Sequence, residues 1–521
     1  MKRLILTFCV STFFSFSNAN GQSAVRLTGL QSDHLENPIG IDNPAPRLSW
    51  KMEDSRQGAR QRAYRVLVGK DSIQVAGGTA DMWDTGKLIS ENILVTYAGK
   101  PLEPCTKYYW KVISDDLLEK EVVSSVHSFE TGMISIKNWQ GAWIGDGKDK
   151  DYQPAPYFRK KFAAGKTIKS ARAYIAAAGL YELYINGEKI GDHRLDPLYT
   201  RFDRRNLYVT YDVTGQLRNG DNAIGVLLGN GWYNHQSKAV WDFDRAPWRN
   251  RPAFCMDLRI TYSDGSVETI PTDLSWKTSS GGLIFNSIYT GEHYDARLEQ
   301  AGWNMPNFDD SKWNGVGYRG APSQNIVAQQ ARPIRNVLTI PAKSINKINE
   351  KTYVFDFGQN MSGVTRINVS GEEGTEVRIM HGERLFDNGR IDMSNIDVYY
   401  RGDKVKDPFQ TDILILSGGK DEFMAKFNYK GFRYVEVTKP IELNQSSLTA
   451  YFMHSDVPSV GKINTSSELV NKLWWATNNA YLSNLMGYPT DCPQREKNGW
   501  TGDGHFAIET ALYNYDGITV Y

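Results

Sequence analysis

The sequence predicts a multidomain, mainly β chain: three β-sandwich-type domains, then helices. Three observations predict it. Short runs such as Tyr64-Arg65-Val66-Leu67-Val68 and Tyr108-Tyr109-Trp110-Lys111-Val112 carry the period of half-buried strands. Turn residues, among them Pro44, Pro46, Gly77, Gly78, Pro101 and Pro104, punctuate these runs. From Thr465 onward the apolar spacing lengthens to that of a helix.

Length and composition are consistent with this. The chain has 521 residues, room for about three or four domains. Its 60 basic and 59 acidic residues give a net charge of +1, which offers a polyanion nothing to bind and argues against nucleic acid as a partner. Aromatic residues make up 12%, including 14 Trp and 28 Tyr. Such rings fill sandwich cores and also stack on the apolar faces of sugars.

Residues 1–19 read as a cleaved signal peptide. Lys2 and Arg3 precede an apolar stretch at 4–16, and Ser17-Asn18-Ala19 supplies the small residues of a cleavage site. The expectation is a secreted or periplasmic protein with no membrane span after cleavage. Cys105, Cys255 and Cys492 remain in the mature chain, too few and too scattered for a disulfide framework or a CxxC metal site.

The first domain is expected at 20–132, a fibronectin type III-like sandwich of about seven strands. The second, at 139–331, is expected to be jelly-roll-like. Its clearest element is a hairpin, 181–185 and 188–190 joined by Asn186-Gly187, because a type I′ turn needs positive φ at both centres. Further strands fall at 222–228 and 254–262. The third β-rich domain, 333–440, carries strands at 353–357, 363–369, 375–381 and 434–437. A helix follows over 465–486, opened by a capping box, Thr465 to Glu468. Val470, Leu473, Trp474, Thr477, Tyr481 and Leu485 form its apolar stripe, and Gly487 and Pro489 end it. A second helix is expected over 505–514. Two striped helices need a partner layer. They either dock on the third β-domain or belong to a larger helical domain, and the second reading makes this chain a fragment.

The loop between the helices carries the densest chemistry: Asp491-Cys492-Pro493-Gln494-Arg495-Glu496-Lys497-Asn498-Gly499-Trp500-Thr501-Gly502-Asp503. Sugar hydrolysis uses such parts: a protonated carboxyl for the leaving oxygen, other carboxylates for hydroxyls, and an indole for the ring face. Spacing alone leaves structural readings open. Asp503 fits a helix N-cap, Glu496 and Lys497 a solvated turn, Trp500 a core residue, and Cys492 a small buried apolar residue.

The same segment resembles the catalytic signature of the bacterial α-L-rhamnosidases of glycoside hydrolase family 78. Other stretches resemble the family's β-domains: Pro46-Arg47-Leu48-Ser49-Trp50, Gly179 to Gly187, Leu228 to Tyr233, Asp356 to Asn360 and Gly431 to Val435. The resemblance implies that Glu496 is the general acid. It implies that Asp491 and Asp503 bind rhamnose hydroxyls and that Arg495 and Trp500 line the pocket. It also implies a concanavalin-like third domain, and at 446–521 the start of an (α/α)6 barrel. The implied activity is that of an inverting exo-α-L-rhamnosidase on plant glycosides or polysaccharides. In such a site a second, far-downstream Glu acts as base, so the chain as given is expected to be inactive. The implied partner is a rhamnose-containing glycan, with no cofactor, although some relatives' second β-domain is lectin-like with calcium. Asn186, Tyr199 and Trp232 are the residues considered for such a site, against their plainer reading as turn and core.

Two weaker signals stand apart. Asp146, Asp149 and Asp151 lack EF-hand spacing and read as a solvated charged loop. His381-Gly382-Glu383 lacks the HExxH spacing of a zinc helix and reads as a strand end. The alternative to an enzyme is a non-catalytic, carbohydrate-binding β-sandwich protein, which needs no downstream Glu; a third reading, a cell-surface adhesion array, fits the sandwiches but gives no reason for the loop cluster.

Overall fold

The computed structural model describes residues 25–439 and 442–521. The expected signal peptide lies outside the described residues. No helix among those described is long and apolar enough to cross a membrane. The chain divides into two compact units, the first holding most of residues 25–128 and the second most of the remainder.

In the first unit, Arg26–Ser32, Arg47–Glu53 and Leu94–Thr96 form one antiparallel sheet. Gln61–Gly69 pairs with Lys107–Asp116 and Trp83–Asp84 in another. Trp50 ties the two together. Its ring meets Tyr64 edge to face at 5.4 Å, and its Nε1 donates to Gln61 Oε1 at 2.9 Å. A short helix, α1 (Ser72–Ala76), starts at Asp71, whose carboxylate accepts from the Ile73 and Gln74 N–H groups.

The second unit begins with a sandwich. One seven-stranded sheet centres on Ala253–Tyr262 and Ile168–Ala178, the other, six-stranded, on Gly220–Gly229 and Pro156–Ala164. Ala173, Ile175, Leu183, Ile224, Val226, Met256 and Trp276 meet between them. The expected hairpin is present as Leu180–Ile185 and Glu188–Lys189, with Asn186 at φ +51° and Gly187 at φ +92°.

A third, eleven-stranded sheet follows. Its long strand, Thr352–Ser370, runs through both stretches read from sequence as separate strands, with a register shift between Asp356 and Met361. Gly358, at φ +78°, makes the bulge, and its N–H is held by Asp356 Oδ1 at 2.6 Å. The sheet does not stop at residue 440, because Leu448–Ser455 pairs with both Thr352–Ser370 and Ile334–Pro341. It also takes strands from within the stretch assigned to the second domain. His193–Arg194 pairs with Ile334–Pro341, and Glu292–Asp295 lies parallel to Thr411–Ile415. These additions give otherwise open edges a hydrogen-bonding partner.

Two helices end the chain, α2 (Glu468–Ser483) and α3 (Thr501–Asn514). The cap of α2 is Ser467, whose hydroxyl accepts from Val470 N–H. Thr465, expected as the cap, instead bonds Asn471 across the first turn. The helices share a small core of Val457, Tyr481, Leu485, Ala511 and Tyr515, and Trp474 Nε1 donates to Asn514 Oδ1 at 3.0 Å. Asn479 Nδ2 fastens α2 to Asn360 O of the third sheet at 2.9 Å. The N-terminal half of the expected stripe stays in solvent, with Leu473 59% exposed, and on α3 Phe506 is 85% exposed.

Candidate active site

The loop from Asn484 to Trp500 is pinned by its own backbone and by the β layers beneath it. Thr490 N–H donates to Asn484 O at 2.7 Å, and Asp491 N–H to Asn498 O at 3.0 Å. Asp491 Oδ1 accepts the Asn498 N–H in return at 3.2 Å. Gln494 Nε2 reaches Glu383 Oε1 at 2.9 Å, and the same oxygen accepts from Asn360 Nδ2. Pro493 packs over Gly431, where a Cβ would come within 2.7 Å of its ring. Lys497 is the deepest anchor. It is buried, at φ +54°. Its ammonium donates to Ile288 O at 2.8 Å and to Tyr429 O, and lies 4.5 Å from the Tyr429 ring centroid. Burial pushes its pKa well below the ordinary lysine value, and the charge of Lys430 acts in the same direction. Beside it the Tyr289 hydroxyl donates to Arg495 O at 2.6 Å.

On this frame Asp503 is exposed, while Asp491 and Glu496 are half-buried. Asp491 and Asp503 line one groove of about 320 Å³ between α2 and α3, together with Thr477, Tyr481, Asn484 and Thr490. Asp503 lies in the first turn of α3, where the helix dipole favours a negative charge. Cys492 Sγ donates to Asp491 Oδ2 at 2.6 Å, and burial together with that carboxylate pushes the thiol up to about 11. Glu496 is half-buried, and its Oε2 accepts from Trp500 Nε1 at 3.2 Å. The Trp500 ring, 44% exposed, meets Trp241 edge to face at 5.1 Å. This segment thus presents a carboxyl group beside an open indole, and two carboxylates in a groove that neither of those residues lines. Those are parts that can protonate a glycosidic oxygen, cover a sugar ring and hold its hydroxyls.

Four family models match consecutive parts of the chain. They are a Rha78A-like N-terminal immunoglobulin domain at 27–135, an alpha-L-rhamnosidase N-terminal domain at 166–338, a bacterial alpha-L-rhamnosidase concanavalin-like domain at 346–454 and a bacterial alpha-L-rhamnosidase 6 hairpin glycosidase domain at 458–521. An alpha-L-rhamnosidase of Formosa agariphila is 34% identical, over 100% of this chain and 57% of its own length. The chain belongs to the bacterial α-L-rhamnosidases, glycoside hydrolase family 78. The alpha-L-rhamnosidase structure from Dictyoglumus thermophilum superposes with a TM-score of 0.88 at 38% identity, over 95% of this chain and 56% of that one. The Streptomyces avermitilis alpha-L-rhamnosidase complexed with L-rhamnose gives a TM-score of 0.88 at 26% identity, over 95% and 64%. The chain therefore spans a little over half the length of these rhamnosidases.

Several structural readings of the loop give way. Trp500 is not a core residue but stands open to solvent, and as N-cap of α3 it makes no side-chain cap bond. Asp503 lies inside the helix rather than at its cap. Lys497 is no solvated turn residue, because three carbonyls, those of Ile288, Tyr289 and Tyr429, draw its ammonium inward. Cys492 is buried, as a small apolar residue would be.

Of the residues considered for a lectin-like site, Asn186 is occupied structurally. Asn186 Nδ2 donates to Gln216 O and Asn222 Oδ1, and its Oδ1 accepts from Ala223 N–H. Tyr199 and Trp232 line an apolar cavity with Leu198, Phe202 and Tyr488. For calcium, no group of three or more His, Cys, Asp or Glu side chains among the described residues is arranged to hold a metal. The acidic loop is not simply solvated either. Asp146 is a largely buried partner of Arg251 at 2.6 Å, and Asp151 pairs with Arg249 at 2.6 Å. His381 is buried on Glu376–Gly382, bonded to Thr365 Oγ1 at 2.9 Å. Sequence reasoning missed Tyr289, Tyr429, Glu383 and Trp241, which reach the loop from distant strands and loops with no local signal. Gly431 was a usable sign, since a glycine in a strand marks close approach by another backbone.

Proposed function

We propose that the 491–503 loop is the acid-bearing part of an inverting, exo-acting α-L-rhamnosidase site that releases terminal α-L-rhamnose from plant glycosides or polysaccharides. Glu496 donates the proton to the departing oxygen. Asp491 and Asp503 hold hydroxyls, Trp500 covers the ring, and Arg495 orients the groups beside it. The observation that carries this reading is the pairing of Asp491 with Asp503 in one open groove while Glu496, on the same loop, is held against the exposed Trp500 indole. The rhamnose complex of the Streptomyces avermitilis relative agrees with the sugar class. The signal-like segment at 1–19 supports a site of action outside the cytoplasm.

The helices α2 and α3 are, on this proposal, the opening pair of an (α/α)6 barrel. Support comes from the apolar side chains they leave in water, Leu469, Leu473, Phe506 and Tyr513 among them, which need a further helical layer. Inversion also requires a second carboxylate about 6.5–9.5 Å from the acid with water between them, and among the described residues the two carboxylates lining the groove, Asp491 and Asp503, are both assigned to hydroxyls. The 521-residue chain is therefore expected to turn over no aryl α-L-rhamnoside. Robust release of 4-nitrophenol from its α-L-rhamnoside by the purified chain would overturn the missing base; in a longer, active form Glu496→Gln should cost orders of magnitude in kcat on poor leaving groups and less on good ones, and equal loss on both would overturn the acid assignment.

A further inference from the structure

The segment that follows the strand Gly220–Gly229 reaches the candidate site. Its inner side is packed. Phe243 meets Trp232 at 4.9 Å, Trp248 at 6.2 Å and Tyr199 at 6.3 Å, ring centre to ring centre, and Ala239 is buried. Its backbone is held as well. Lys238 O accepts the Arg401 N–H at 3.2 Å, and Asp242 stands at φ +50° before the 3₁₀ turn Phe243–Arg245. Between these anchors Trp241 is left 37% exposed.

Trp241 touches Trp500 edge to face, with the ring centres 5.1 Å apart and the planes at 67°. Trp500 Nε1 in turn donates to Glu496 Oε2 at 3.2 Å. Two open indoles thus stand in contact, one of them bonded to the carboxyl assigned as acid. Neither lines the groove of Asp491 and Asp503. A single exposed aromatic side chain needs no explanation. Two tryptophans on separate segments, touching each other while both leave ring area in water, forgo burial that would stabilise the fold. Apolar surface is therefore held open beside the acid.

We propose that Trp241 determines leaving-group specificity: with Trp500 it forms a corner that takes a flat aromatic aglycone. The inference rests on the reading of Glu496 as the acid. A proton donor must reach the oxygen between rhamnose and its aglycone, so apolar surface that adjoins Glu496 outside the hydroxyl-binding groove falls on the aglycone side. Trp500 covers the sugar, and Trp241 extends that surface past the bond that breaks. Two ring planes at a steep angle suit a third ring, which can lie against one face and present its edge to the other. The Trp500 N–H is already committed to Glu496, so the corner offers mostly carbon. That favours an aromatic ring over a second sugar with its belt of hydroxyls.

The test is isothermal titration of the 521-residue chain with methyl α-L-rhamnoside, 4-nitrophenyl α-L-rhamnoside and an α-L-rhamnosyl-glucose disaccharide. The aryl glycoside should bind about fivefold more tightly than the methyl one, the worth of one aromatic pair. Trp241→Ala should remove most of that advantage, leave the methyl glycoside unchanged and keep the far-UV spectrum, and Trp241→Phe should retain the advantage. An aryl glycoside that binds no better than the methyl one would overturn the proposal. So would an advantage that survives Trp241→Ala, an equal loss on both glycosides, or a disaccharide bound as tightly as the aryl glycoside. Failure of the hydrolase reading shows separately, because Asp491→Asn would then leave methyl glycoside binding unchanged. In a longer, active form Trp241→Ala should lower kcat/KM more for the aryl glycoside than for the disaccharide; an equal loss would mean that downstream chain, not an aglycone, covers the indole, and would overturn the proposal.

Discussion

Glu292 gives a test of how the third sheet is held under the candidate site. Its carboxylate is buried and accepts the backbone N–H groups of Lys426, at 2.8 Å, and of Phe427. Its own N–H donates to Asp412 Oδ1 at 2.9 Å, and that oxygen also accepts from Lys430 Nζ at 2.8 Å. Burial, then the nearby charge of Asp412, raises the Glu292 pKa from 4.5 to about 7. A carboxyl whose folded pKa lies above its unfolded one binds its proton more tightly in the native state. Its contribution is full below about pH 4.5 and is lost as pH rises through 7. The gap corresponds to about 3 kcal/mol. Glu292→Gln keeps an oxygen for both N–H groups and cannot ionise. Urea unfolding of the two proteins, compared from pH 4.5 to pH 8, should show the variant gaining on wild type by about 3 kcal/mol, most of it between pH 5 and 7. A difference that stays flat within about 0.5 kcal/mol would mean that the carboxylate is ionised throughout, and would refute the reasoning.

Three further outcomes are expected. Lys497→Met keeps the packed stem but strips the ammonium from the carbonyls of Ile288 and Tyr429; at about 1 kcal/mol for each bond, opening of the 491–503 loop should rise roughly thirtyfold in hydrogen exchange, and unchanged protection would show that the anchor is idle. Gly363→Ala sets a Cβ 1.9 Å from Tyr451 O, so the pairing of Thr352–Ser370 with Leu448–Ser455 must shift. The cost should be about 3 kcal/mol or more in urea, and wild-type stability would contradict the register. The Cys492 thiol, buried and raised to about 11, should resist iodoacetamide at pH 8 in the native chain and react after unfolding; complete native alkylation within minutes would place it at the surface.

The β-rich character of the chain was legible because strand signals are local. Asn186-Gly187 announces its hairpin through backbone chemistry alone, and the runs at 222–228 and 254–262 lie inside Gly220–Gly229 and Ala253–Tyr262. What local pattern could not convey is which sheet a strand joins. Glu292–Asp295 pairs with Thr411–Ile415 across more than a hundred residues, and no periodicity encodes that choice. The sequence pattern predicts strands at 353–357 and 363–369 where one strand runs through both, because a bulge with Gly358 at positive φ lets the strand continue. In the loop, residue types pointed to sugar chemistry while burial was misjudged. A lysine reads as solvated and a tryptophan as core by default, and here the surroundings reverse both.

That reversal follows from how the loop is supported. The two helices share five buried side chains and leave much of their apolar surface in water, so they are poorly suited to fix a loop carboxyl to within an ångström. The β layers supply the rigidity instead. Segments at 288–289, 383 and 429–431 grip Lys497, Gln494 and Pro493, the immediate neighbours of Arg495 and Glu496. Burying Lys497 against three carbonyls and the Tyr429 ring costs desolvation. With Lys497 held inward at positive φ, Glu496 is directed the other way, toward the open indole of Trp500. The loop's exposed chemistry and its buried lysine are then two sides of one constraint, and the β layers act as the mould of the site as well as its scaffold.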